Sequence, residues 1–199
     1  MRITEADPGH SARYAERFRA MAAAGDDLAG EARLIDAMVG RGAHVLDAGC
    51  GPGRVGAYLA QAGHRVVGVD IDPVLIAAAE QDHPGPRWIV DDLATLDLNQ
   101  HGITTRFEAV VCAGNVMTFL HPDSRVEVLR RLGAHLADDG RITVGFGAGR
   151  GYPFADFLGD VTTAGLVADL LLSSWDLRPF DDESGFLVAV LSRPRPDDR

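Results

Sequence analysis

The chain contains no lysine: all 19 of its basic residues are arginine, set against 29 acidic ones for a net charge of -10. Partners bound by neutralising phosphates need a basic surface, so no nucleic acid is expected. Cysteine is nearly absent as well. Cys50 and Cys112 supply neither a disulfide framework nor metal-ligand spacing, and both are expected as buried, reduced thiols with no metal site. No run of about 18 apolar residues is present to cross a membrane. The stretch MRITEADPGH lacks the apolar segment of a secretion signal, so a cytoplasmic setting with no membrane partner is expected. Internal repeats and low-complexity blocks are missing too. What is there, 199 residues of which 46% are hydrophobic, suffices for one core without cross-links.

The most informative stretch is Val45 to Arg54, VLDAGCGPGR. An apolar run with the character of a buried strand meets Gly49, Gly51 and Gly53, and a helical pattern begins near Arg54; strand, glycine turn and helix make the first half of a Rossmann-type unit. Glycine adopts backbone angles closed to other residues, and its missing Cβ lets a ligand approach the main chain. The spacing is GxGxG, and Arg54 stands where a dinucleotide fingerprint needs a third small residue. Asp47, two residues before the first glycine, would repel a pyrophosphate. It suits a cation, and S-adenosylmethionine carries a sulfonium and an ammonium group but no phosphate. Capping of loop amides is the other role open to Asp47. The run RVVGVDID then gives a second strand, Arg65 to Val69, ending in Asp70, from which a carboxylate accepts both hydroxyls of a ribose. Asp72 is better placed to cap a helix starting at Pro73. A third short strand, Trp88 to Val90, runs into Asp91 and Asp92.

In order along the chain, VLDAGCGPGR, VVGVDID, WIVDDL, FEAVVCAGN and DGRITVGF resemble motifs I, post-I, II, IV and the fifth strand of class I S-adenosylmethionine-dependent methyltransferases, over about Ala43 to Phe146. The resemblance implies an α/β fold: a Rossmann-like three-layer sandwich whose seven-stranded, mostly parallel sheet has order 3-2-1-4-5-7-6 with strand 7 antiparallel. It implies S-adenosylmethionine as cofactor and S-adenosylhomocysteine as product. Gly49, Gly51 and Gly53 would line the methionine half, Asp70 would hold the ribose, and Asp92 with the backbone of Leu93 would meet the adenine edge; Asp47 and Ile71 complete the expected cofactor-binding set. Ala113 and Gly114 would offer main chain to the methionine ammonium. Glu108 replaces the Asp often found at the start of the fourth strand, and Cys50 inside the loop reads as a packing residue.

After the fourth strand stands Ala113-Gly114-Asn115-Val116, without the Pro-Pro-aromatic sequence usual in enzymes that methylate bases, so the expected acceptor is a small molecule. Methyl transfer is an in-line displacement in which alignment contributes roughly 7 to 11 kcal/mol. A base is needed only if the acceptor must lose a proton, and His121 is the candidate, against a role as a cap ahead of Pro122. Asn115, Met117, His121, Arg150 and Tyr152 follow the fourth and fifth strands and are candidate acceptor-site residues, with His10 and Tyr14 on a covering helix. The alternatives are a non-catalytic methyltransferase-like module that binds cofactor or a partner protein, and an NAD-dependent oxidoreductase.

Helices are expected over Ser11 to Ala24, Leu28 to Val39, Arg54 to Ala62, from Pro73 to near Pro84, from Pro122 through Leu136, and over Phe154 to Thr163. Asp138-Asp139-Gly140 reads as a turn into a fifth strand, Arg141 to Phe146, with closing strands over Leu166 to Ser174 and Phe186 to Leu191. Residues 1–42 are expected to cover the cofactor site, 43–193 to form the methyltransferase core, and 194–199 to be a disordered tail.

Overall fold

The computed structural model describes residues 9–194, so part of the expected cover (1–8) and nearly all of the expected tail (195–199) lie outside the described residues. Two helices, α1 (His10–Ala23) and α2 (Gly30–Met38), precede an alternation of strands and helices: β1 (His44–Ala48), α3 (Arg54–Gln61), β2 (Arg65–Asp70), α4 (Pro73–Asp82), β3 (Arg87–Val90) and β4 (Phe107–Cys112). Then come the single-turn α5 (Val116–Phe119), α6 (Arg125–His135), β5 (Leu136–Gly147), α7 (Phe154–Thr163), β6 (Val167–Leu172) and β7 (Phe186–Ser192). The sheet order is β3-β2-β1-β4-β5-β7-β6. Strands β1 to β5 run parallel, while β7 is antiparallel to both β5 and β6. This is the expected Rossmann-like sheet.

Alternation along β1 sets the layers. Val45 packs with Ile35, Val55 and Leu59 beneath α2 and α3, whereas Leu46 and Ala48 belong to the opposite cluster with Leu129 and Leu132 of α6 and Phe157 of α7. Successive side chains of a strand point to opposite faces, so Asp47 lies on the α3 side with Val45. The central strands β1, β4 and β7 are buried on both faces, which is why they read as apolar runs without strict alternation.

Two local expectations fail for physical reasons. Asp138, Asp139 and Gly140 lie within β5 and form no separate turn: Leu136 pairs with Phe107 and Arg141 with Ala109, so the residues between them bulge from the ladder. A Cβ on Gly140 would sit 2.6 Å from the Phe107 carbonyl oxygen, an approach open only to glycine. Pro122 opens a 3-10 turn, Pro122–Ser124, before α6, and Leu136 starts β5 instead of ending the helix.

Candidate active site

Parallel α/β sheets bind ligands outside the carboxyl ends of their strands, where the order reverses, here between β1 and β4. The glycine loop stands there. Gly49, Gly51 and Gly53 have φ of +77°, +54° and +84°, and the Gly49 and Cys50 amides donate to the Val69 carbonyl at 2.8 and 3.0 Å, tying the loop to β2. The three positions differ in what surrounds them. A Cβ on Gly49 would meet Val116 Cγ2 at 2.4 Å, and one on Gly53 would meet Ala79 Cβ and Trp88 Cη2 at 2.9 Å, so both spaces are filled by protein. At Gly51 the nearest atom is Tyr14 Cε1 of α1 at 3.8 Å. Gly51 is buried beneath that ring, and it is the one of the three where a Cβ would meet only an ordinary contact.

Asp47 is 2% exposed, and its Oδ2 accepts the Gly56 N–H at 2.8 Å, satisfying a free donor of the first turn of α3. The capping role is the one its geometry displays, from a buried place beneath α3. Burial pushes the carboxyl up to about 7, opposed by the Gly56 bond and by Arg54.

Asp70 sits half-buried at the end of β2. Its Oδ2 accepts the Gly51 N–H at 2.8 Å and its Oδ1 the Asp72 N–H at 2.9 Å, so the carboxylate spans the glycine loop and the turn into α4. Burial raises its pKa, and those two backbone donors oppose the rise. Asp72 caps α4 through Val74 N–H at 2.8 Å, as expected, and also accepts the Ser11 hydroxyl of α1. The adjoining end of β3 is anchored by the Asp91 N–H donating to the Asp70 carbonyl at 3.0 Å. Asp91 pairs with His101 at 2.7 Å and accepts the Asp92 N–H, while Asp92 accepts the Ala94 N–H at 2.9 Å. Asp70, Asp91 and Asp92 therefore stand on adjoining strand ends, with exposed Ile71, Val74 and Val90 beside them. Leu93 is buried. Half-buried acids next to an exposed apolar strip, beside a glycine loop of left-handed backbone, fit an adenosine with a cationic tail.

At the end of β4, Ala113 is buried, and Gly114 and Asn115 both adopt left-handed backbone, with φ of +74° and +69°. Asn115 Oδ1 accepts the Gly147 N–H at 2.8 Å, pinning the exits of β4 and β5 together. Among the acceptor-site candidates, Met117 is fully buried in the core, and Tyr152 is 1% exposed, stacked on Phe146 and donating to Asp160 at 2.6 Å. Neither has a surface left for a substrate. Their sequence positions place them near the crevice, but the turns that follow β4 and β5 fold them inward. His121 is on the exposed 3-10 turn, 73% of its side chain accessible, with Nδ1 accepting the Asp123 N–H at 3.3 Å. That is the capping alternative. Burial raises the thiol pKa of Cys50, and pushes that of Cys112 up to about 12, so both are protonated packing groups.

Three connections carry no sequence signal because their partners are far apart in the chain. Arg54, the residue odd for a dinucleotide loop, is clamped by both carboxylate oxygens of Glu31 at 2.8 and 2.6 Å and lies over the Phe18 ring at 5.4 Å. It joins α1, α2 and α3. The Ser11 to Asp72 bond and the Arg19 to Asp82 pair at 2.7 Å hold α1 on α4. His101 orients Asp91. A groove of about 650 Å³, lined by His44, His64, Arg65 and Arg87, opens at the amino ends of the strands, the opposite end of the sheet from these acids.

A family model described as a methyltransferase domain matches residues 45–140. The crystal structure of a TehB-like S-adenosylmethionine-dependent methyltransferase from Corynebacterium glutamicum is 50% identical and superposes with a TM-score of 0.89, covering 94% of this chain and 100% of that one. The chain belongs to the class I S-adenosylmethionine-dependent methyltransferases. Other relatives of this methyltransferase are an uncharacterised methyltransferase of Mycobacterium tuberculosis, 40% identical over 56% of this chain and 54% of its own length, and the trans-aconitate 2-methyltransferase of Delftia acidovorans, 28% identical over 47% and 43%. The chain thus spans about half the length of these curated relatives. The oxidoreductase alternative falls with the family assignment, and the family's cofactor is S-adenosylmethionine. No helix among the described residues is long and apolar enough to cross a membrane.

Proposed function

We propose that this methyltransferase moves a methyl group from S-adenosylmethionine to a small-molecule acceptor, in the crevice at the carboxyl ends of β1, β2 and β4. The observation that carries the reading is the Asp70 carboxylate, held between the Gly51 amide and the turn into α4 beside a second pair of acids. When bound, the cofactor supplies an electrophilic methyl group on a sulfonium. Asp70 would accept the ribose hydroxyls on the lone pairs left by its two backbone donors, with Ile71 beside it, and Asp92 and the Leu93 backbone would receive the adenine. Gly51 and the main chain of Gly49, Gly53, Ala113 and Gly114 take the methionine half. Asp47 acts from beneath, fixing the start of α3 and hence the loop.

Helices α1 and α2, within residues 1–42, serve as the cover. Tyr14 lies against Gly51 and Ser11 on Asp72, so α1 closes one side of the cofactor position and excludes water from it. Catalysis is then alignment, and no proton is assigned to His121, whose ring caps its own turn. The small-molecule class is supported by the acidity of the chain, which disfavours nucleic acid, and by the trans-aconitate named for one relative.

Calorimetric titration with S-adenosylmethionine, S-adenosylhomocysteine and NAD tests the reading together with Asp70→Ala. The first two are expected to bind and NAD not to. Loss of charge-assisted hydrogen bonds worth roughly 1.5 to 3 kcal/mol each predicts a weakening of more than tenfold in the variant. Unchanged affinity would remove Asp70 from the site.

A further inference from the structure

About half of the described arginines are tied to carboxylates, as at Arg19 with Asp82, Arg33 with Asp27 and Arg54 with Glu31. Two at the carboxyl ends of β4 and β5 are not. Arg150 has no carboxylate within ion-pair distance among the described residues, although acids outnumber bases by ten in the sequence. It lies on the loop that leaves β5, between Gly149 and Gly151, whose φ values of +72° and +75° turn the chain back on itself. The Arg150 side chain folds over the end of the strand: its Nε is 3.4 Å from the point where a Cβ on Gly147 would stand, and Asn115 Oδ1 is 3.7 Å from the same point. A guanidinium is thus held over the joined exits of β4 and β5, next to the main chain assigned to the methionine half.

Behind it stands Arg125, at the start of α6. Its guanidinium carbon is 3.8 Å from the centre of the Tyr152 ring, and its Nη2 donates to the Gly151 carbonyl at 3.2 Å, one residue from Arg150. Its Nε is buried with no hydrogen-bond partner, and it too has no carboxylate beside it among the described residues. The ring and the carbonyl fix Arg125 in place, and the nearest carboxylate shown on that ring, Asp160, binds the Tyr152 hydroxyl and not the guanidinium. Two guanidiniums at the exit of β5, neither in an ion pair among the described residues, raise the local potential for an anion in a chain of net charge -10. The planar fork of a guanidinium matches the two oxygens of a carboxylate, and Asn115 beside it lends polar surface.

We infer that Arg150, backed by Arg125, holds a carboxylate of the methyl acceptor; this rests on the crevice being the methyl-transfer site proposed above. The substrate class is a small organic acid. The test is calorimetric titration of the full chain, with and without S-adenosylhomocysteine, using trans-aconitate, malonate and the neutral trimethyl ester of trans-aconitate. At least one acid is expected to bind and the ester not to. Arg150→Gln should raise the dissociation constant for that acid at least tenfold, Arg150→Lys less, and Arg106→Gln, an exposed arginine at the other end of the sheet, not at all. Affinity for S-adenosylhomocysteine should be the same in all four proteins. Failure of both acids to bind, equal binding of the ester, or acid binding indifferent to Arg150→Gln would overturn the inference. If S-adenosylhomocysteine binds in that case, only the acid assignment is lost; if S-adenosylhomocysteine itself does not bind, the proposed function falls, and the titrations without it still decide the role of Arg150.

Discussion

Asp47 makes a prediction that separates its structural role from its charge. The carboxyl is buried, has one backbone donor, and titrates at about 7 in the fold, against roughly 3.9 in an unfolded chain. Its folded pKa is raised, so the folded state binds a proton that the unfolded state has already released. The stability associated with that proton is fully present below about pH 4 and is lost as pH rises through about 7. Between about pH 5 and about pH 8 the linkage covers close to two decades of differential binding, which at about 1.36 kcal/mol each amounts to about 2 to 3 kcal/mol. Asp47→Asn keeps an oxygen for the Gly56 N–H and removes the titration. Urea unfolding of both proteins at the two pH values reads this site, because ionisable groups distant from it cancel in the double difference. The expected result is that the variant gains about 2 to 3 kcal/mol on wild type in going from the lower to the higher pH. A constant difference between the two proteins would refute the argument that Asp47 is held partly neutral by burial.

The glycine loop gives a contrasting pair. Gly49→Ala drives a methyl into Val116 at a positive φ and is expected to cost about 2 to 4 kcal/mol in thermal or urea unfolding. Gly51→Ala meets only the edge of Tyr14 at 3.8 Å, an ordinary contact, and should cost about 1 kcal/mol from backbone strain alone, yet weaken S-adenosylmethionine binding out of proportion to that loss. For His121→Ala, turnover on any acceptor that proves active should stay within about twofold of wild type, as no base contribution of the usual ~100-fold is removed; a drop approaching that size would restore the ring to the chemistry.

Local pattern made most of the architecture legible. Helix α7 spans the residues expected of it, α1, α3 and β2 differ by a residue or so, and the acids at the ends of β2 and β3 follow from strand periodicity and the glycine turn. These features depend on the chain's own neighbours, whose spacing a sequence records. The run Asp138-Asp139-Gly140 shows where that logic stops: it has the composition of a turn, but pairing with β4 absorbs it as a bulge. Order along the chain also placed Met117 and Tyr152 near the crevice without showing that both point into the core.

By itself the sequence determined the alternation of strands and helices, the family and the ordered set of strand-end acids, because each is written in residues close together in the chain. Tertiary structure alone decided which loop glycine could carry a Cβ, that Asp47 is buried under α3, that Arg54 joins three helices through Glu31 and Phe18, and that Arg125 and Arg150 both come to the exit of β5 with no carboxylate in ion-pair distance. Burial, charge pairing and spare volume are set by atoms that arrive from distant segments when the sheet closes, and no spacing along the chain encodes them.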